Sequence, residues 1–163
     1  MILHIYTVIH TLISVIAIFT GLVVVFGMLA CKRLSGWTKW FLITAVATTL
    51  TGFFFPFHGF TPAIGLGIIS LPLLALTIYA RYPKQLVGAW RWIYAIGAVI
   101  CVYFNLFVLV VQAFEKVPAL HAMAPTQTEP PFKFTQLIVL LVSAMLAVVA
   151  AIRFHPAPRI ASD

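Results

Sequence analysis

Charge is what this chain has least of. Only 8% of its 163 residues are Asp, Glu, Lys or Arg, and just 3 are acidic: Glu115, Glu129 and Asp163. Soluble domains carry about 25% charged residues. A chain that is 63% hydrophobic cannot clothe its apolar atoms with so little polar surface. A water-soluble globular domain is therefore excluded. Cysteine is also scarce. Cys31 and Cys101 form no CxxC pair, and no disulfide is expected. No basic segment or small-residue cleavage site precedes the first apolar run, which argues against a secretory signal. Internal repeats and a second domain are absent from the pattern. The stretch "GLGIIS" has the glycines of a phosphate loop but neither a preceding strand nor a lysine. Gly65 and Gly67 are better read as positions of close packing.

What is present is long apolar sequence, with a mean hydropathy of +1.12. A helix needs roughly 20 apolar residues to cross about 30 Å of hydrocarbon. Lipid offers the backbone no hydrogen bonds, so continuous, non-alternating runs read as helices. The fold expected is all-α: an integral membrane bundle of five transmembrane helices in a single domain, 1–163. The spans fall at about 5–30, 40–57, 61–80, 92–114 and 135–152. An outer loop, 115–134, and a tail, 153–163, complete the chain. Pro62 suits the first turn of the third helix, and Pro72 should kink it.

The few charges are sorted. Lys32, Arg33, Lys39, Arg81, Lys84, Arg91, Arg153 and Arg159 fall on one side, and only Lys116 and Lys133 on the other. Lys and Arg collect in cytoplasmic loops. The N-terminus is thus expected outside and the C-terminus in the cytoplasm of a bacterium with the chain in its inner membrane. The net charge of +7 is then a topology signal and not a nucleic-acid surface. Trp37, Trp40, Trp90 and Trp92 all fall at the basic boundary, where amphipathic rings prefer to sit.

Polar residues recur on helix faces. Thr7, Thr11 and Ser14 continue into Ala17 and Gly21; Thr44, Thr48 and Thr51 share a face of the second span. Tyr94, Ala98, Cys101, Asn105, Gln112 and Glu115 form the longest stripe, and Gln136, Ser143, Ala147 and Ala151 the last. Such stripes let helices approach and bond across the contact. The sharper reading is a wetted cavity or proton path edged by Asn105, Gln112 and Glu115.

The stretch "FFFPFHGFTP", Phe53 to Pro62, places His58 in a tight turn at the end of the second span. His4, His10, His58 and His121 all fall on the side away from the basic residues. His10, His58 and His121 are candidate ligands for haem b or for a first-row transition metal, with a carboxylate to complete the set. The proline-stiffened loop "APTQTEPPF" adds Met123 and Glu129 nearby, as a lid or a docking surface.

The chain as a whole resembles small bacterial multi-pass inner-membrane proteins of four or five spans. The segment "IHTLISVIAIFTGLVVV", with Lys32, Arg33 and Trp37 following, is similar to small haem-binding or oxidase-like membrane proteins. That resemblance implies redox or metal handling, with haem and electron transport. Two other functions suit the pattern: a non-catalytic subunit of a larger membrane complex, and a small solute or ion transporter working as a homo-oligomer. In each case the partners are the bilayer and other membrane subunits or further copies of the chain.

Overall fold

The computed structural model describes residues 1–56 and 62–155, apart from the side chains of Pro62 and Ala63. Of the described residues 82% are helical and none is in a strand. The helices are α1 (Ile2–Leu29), α2 (Ser35–Gly52), α3 (Pro62–Arg81), α4 (Trp90–Lys116), the short α5 (Pro118–Met123) and α6 (Pro130–Arg153). Four of them are long and apolar enough to cross a membrane: α1, the Ile64–Arg81 part of α3, α4 and α6. Lys39, two glycines and five threonines dilute α2, which has 18 residues.

Two boundaries lie away from their expected places, each for a local reason. The second helix starts at Ser35 and ends at Gly52, not at Phe57. Pro56 disfavours helical backbone at the residue before it. The chain leaves α2 through a tight turn in which the Phe53 and Phe54 amides donate to Leu50 and Thr51. The last helix begins five residues early, because Pro130 and Pro131 occupy its first two positions. Proline is preorganised there, and its missing N–H costs nothing. The outer loop is correspondingly shorter, and α5 stands inside it, opened by Pro118.

Contacts between helices fix an up-and-down bundle. Tyr6 and His10 near the start of α1 meet Thr51 at the end of α2. At the opposite end, Thr38 of α2 meets Tyr94 of α4 at 3.3 Å, and Arg81 of α3 meets Arg33 at 2.8 Å. Helix α4 is central, packing on α1, α3, α5 and α6.

One end therefore gathers Lys32, Arg33, Lys39, Arg81, Lys84, Arg91 and Arg153, as the sequence predicts. Arginines tie it together by donating to carbonyl groups. Arg91 Nη1 donates to Phe154 O at 2.6 Å, just past the end of α6, and Arg33 Nη2 to Gln85 O at 3.1 Å. Cations suit helix C-termini, where the last carbonyls lack intrahelical partners. The four tryptophans lie at this end too; Trp37, Trp40 and Trp92 are exposed.

The α1–α2 turn is closed by the C-terminal cap of α1. The Lys32 amide donates to Gly27 O at 2.8 Å and the Cys31 amide to Met28 O at 3.0 Å. This is a Schellman motif with Cys31, φ +57°, in the left-handed position that glycine usually fills. Leu34 follows, also left-handed at φ +38°, and its side chain occupies the space that a Cβ on Gly27 would need.

Burial is concentrated in the half nearest the basic residues. Val24, Val25, Met28, Phe41, Ala45, Leu74, Ala80, Tyr94, Ala98, Val99, Val102 and Phe154 form one core cluster there. Gly21 and Gly97 permit the tight approach. A Cβ on Gly21 would lie 2.5 Å from Val102 Cγ2 and 2.8 Å from Phe41 Cε2, and one on Gly97 would strike Thr77 Oγ1.

Candidate functional site

The other half of the bundle is looser and more polar. His10, Ser14, Thr48, Thr51, Asn105, Gln112 and Gln136 are all half-buried there. Most hydroxyls do not bond across helices, contrary to expectation. Thr7, Thr11, Ser14, Thr44, Thr49 and Thr51 each donate to the carbonyl four residues earlier in their own helix, at 2.7–2.9 Å. A hydroxyl beside a helical backbone finds that carbonyl without help from a neighbour. The Asn105 side chain does the same, donating to Cys101 O at 2.9 Å.

His10 reaches across from α1 to α2. Its Nδ1 lies 2.8 Å from Thr51 Oγ1. The single Thr51 hydroxyl hydrogen can go to Ala47 O, 2.7 Å away, since a carbonyl only accepts. With that hydrogen on Ala47 O, Thr51 Oγ1 accepts from Nδ1–H of His10 and Nε2 carries the lone pair; in the other tautomer Thr51 donates to Nδ1 and the proton sits on Nε2. The ring is held in place on two further sides. Phe55 packs edge-on at 5.0 Å and 85°, and Gly52 leaves room beside Cε1. Tyr6 closes the group by donating to Thr51 O and packing on Phe55 at 4.9 Å. In the Nδ1–H tautomer the free Nε2 can accept a proton, accept a hydrogen bond or ligate a metal.

Two buried oxygens in this half, Thr48 Oγ1 and Gln136 Oε1, have no hydrogen-bond partner among the described residues. Thr48 is one helical turn below Thr51. Gln136 donates from its other side-chain atom to Phe107 O of α4 at 3.1 Å.

The remaining candidates are dispersed. His121 and Met123 are exposed on α5, and His58 lies outside the described residues. Gln112 Nε2 donates to Glu115 Oε2 at 3.4 Å on the exposed end of α4. Glu129 organises the loop: its carboxylate accepts from Thr126 Oγ1 at 2.8 Å, the Thr126 amide at 3.2 Å and the Thr128 amide at 3.0 Å. A little desolvation raises the Glu129 pKa, but these hydrogen bonds outweigh it and hold the carboxyl below its usual range. Gln127 Nε2 reaches Val111 O at 3.1 Å, and Phe114 meets Phe132 at 5.4 Å, so the loop is docked on the end of α4.

Nothing among the described residues supports a chelated metal. No group of three or more His, Cys, Asp or Glu among them is placed to hold an ion. His10 offers one nitrogen, and nothing described stands opposite it to complete a haem or metal site. Sequence reading identified His10 but not its partner, Thr51 in another helix. It missed the burial of Arg81, whose only sequence signal was its place at the end of an apolar run. Comparison of the chain with protein-family models, with curated proteins and with solved structures gives no match.

Proposed function

We propose that this membrane protein crosses the bilayer five times, α2 included, with its basic end in the cytoplasm of a bacterium, and that it handles a proton or a small hydrogen-bonding solute at His10. Support for the fifth crossing comes from the course of α2. It runs beside α1 from the Gly27–Leu34 contact to the Tyr6–Thr51 bond, so it is as long as the part of its neighbour that it covers. The orientation rests on the sorting of basic residues.

The observation that carries the function is the half-buried His10 ring held against Thr51 by its Nδ1, which leaves Nε2 for a proton or a hydrogen-bonding solute. The unpartnered oxygens of Thr48 and Gln136 in the same half support it. Buried polar atoms surrounded by hydrocarbon call for water or a polar ligand. Water reaching these oxygens would also reach the imidazole, which is the requirement for proton exchange.

The test uses proteoliposomes with a trapped pH-sensitive dye. The wild type is expected to dissipate an imposed pH gradient. His10→Gln should slow this about ten-fold or more, and Thr51→Val, which frees the ring without removing it, should slow it less. Equal rates for His10→Gln and wild type would defeat the reading.

A second reading, that of a non-catalytic subunit, has one observation in its favour. Of the 24 residues of α6 only Ser143 and Ala150 are buried, and the face away from α4, with Leu137, Leu141, Val142, Met145 and Val148 exposed, is free for lipid or a neighbouring subunit. Co-purification of other membrane subunits, lost on replacing Val142 and Met145 with bulkier residues, would favour it.

A further inference from the structure

Arg81 is the last residue of α3, and only 6% of its surface is exposed. A buried cation normally requires a carboxylate, because removing a charge from water costs several kcal/mol. None is at hand: the acids of the described residues, Glu115 and Glu129, lie at the far end of the bundle. Arg81 Nη2 donates instead to Arg33 O at 2.8 Å and Ser35 Oγ at 3.3 Å, and the guanidinium lies 5.3 Å from the centre of the Tyr94 ring. Its Nη1 is buried and has no hydrogen-bond partner among the described residues.

The two bonds from Nη2 place this guanidinium at the N-terminus of α2. Leu34 is the capping residue there, and no side chain caps the free amides. Ser35 and Gly36 are exposed, and nothing lies within 4 Å of where a Gly36 Cβ would be. An uncapped helix start carries about half a positive charge and points its N–H groups outward. Lys39 is exposed one turn on.

We infer that the Arg81 guanidinium and the start of α2 form a binding site for a phosphate group, reached through the exposed Ser35 hydroxyl. Ser35 Oγ holds the place that a phosphate oxygen takes: bonded to Arg81 Nη2 and open to the surface. When the serine side chain turns aside, the fork of Nη1 and Nη2 can grip a phosphate with two parallel bonds. The amides of Ser35 and Gly36 supply the rest. The site lies among the exposed Trp37, Trp40 and Trp92. Rings of this kind mark the headgroup level of a bilayer. Both an anionic phospholipid and free phosphate present the required chemistry. The site is independent of proton handling at His10.

Thermal unfolding separates the sources. Full-length protein is placed in phosphatidylcholine nanodiscs with or without phosphatidylglycerol, and in neutral detergent with or without inorganic phosphate. Wild type should gain about 5 °C or more from at least one of them. A gain from phosphatidylglycerol alone identifies a lipid headgroup, and a gain from inorganic phosphate as well identifies a site open to free anions. Arg81→Lys keeps the charge but loses the fork, and should lose most of the gain. Ser35→Ala removes the exposed hydroxyl that occupies Arg81 Nη2 and should fold normally; with that competing oxygen gone, its gain should exceed that of wild type. Arg81→Met should abolish the gain if it folds. The inference is overturned if neither additive shifts wild type, or if Arg81→Lys and Ser35→Ala respond as wild type does.

Discussion

Val24, Phe41, Tyr94, Ala98 and Ala150 are sealed in one half of the bundle, while His10, Ser14, Thr48, Asn105 and Gln136, on the same helices, stay partly open in the other. Composition alone does not separate the halves, since both are built mainly from apolar residues. Distance does. Gly21 and Gly97 bring α1 and α4 into contact with α2, α4 and α3 at the basic end, and Phe41 and Val102 fill the space. Toward the other end the same faces carry an imidazole and two amides. Their polar atoms bond to a neighbouring hydroxyl or carbonyl and add little apolar packing. One half is close-packed; the other keeps its polar side chains partly open.

That contrast is most sharply broken or upheld by truncating one phenylalanine from each half. Phe41 is wholly buried between α1 and its neighbours. Phe41→Ala should cost about 3–5 kcal/mol, read from unfolding in mild detergent. Phe55, half-buried beside His10, should cost well under half as much. Equal losses would mean that the open half is as tightly packed as the closed one.

Glycine substitutions probe the same division from the opposite direction. A Cβ on Gly21 has no room, so Gly21→Val should destabilise by about 1–3 kcal/mol, and Gly97→Val should behave alike. Near the other end a Cβ on Gly52 would lie 3.8 Å from His10 Cε1, an ordinary contact. Gly52→Ala should change stability by about 0.5 kcal/mol or less. It should also leave His10 in place, which the ring nitrogen shifts of labelled histidine would report.

The closed half also contains a correctable strain. Cys31 occupies the left-handed cap of α1 at φ +57°, where a side chain costs about 1 kcal/mol relative to glycine. Its Sγ donates weakly to Arg153 O at 2.8 Å, which offsets part of that. Cys31→Gly should therefore raise stability by about 0.5 kcal/mol. A loss instead would show that the thiol contact with the end of α6 matters more than the backbone.

How much of this could be read from the sequence follows from the range of each interaction. The helices were legible because bilayer length and apolar runs are local properties. The clustering of Lys32, Arg33, Arg81 and Arg91 at one end followed from the same count of crossings. The end of α2 was misplaced because a run of phenylalanines conceals a break that Pro56 enforces. The hydroxyl stripes were visible, but not that each hydroxyl would bond to its own helix. The fates of His10 and Arg81 were not legible. Each is decided by a partner more than 40 residues away, Thr51 in one case and Arg33 in the other.

The smallest effect tests whether the loop on the open half is a fixed structure. Glu129 ties Thr126 and Thr128 into a turn at the start of α6 and is itself partly open to water. Its carboxyl pKa is lower in the folded protein than that of an ordinary glutamate. The sign follows from linkage. The charged form is favoured by folding, so the contribution is present above the unfolded pKa and disappears as pH falls through the lower folded one. Hydrogen exchange at the Thr126 and Thr128 amides, corrected for intrinsic rates, should thus be slower near neutrality than in acid. Glu129→Gln should flatten that dependence while the amides of α4 stay unchanged. If protection is the same in acid, the turn is held by the docking of Gln127 and Phe132 on α4, and the carboxylate is only a passenger.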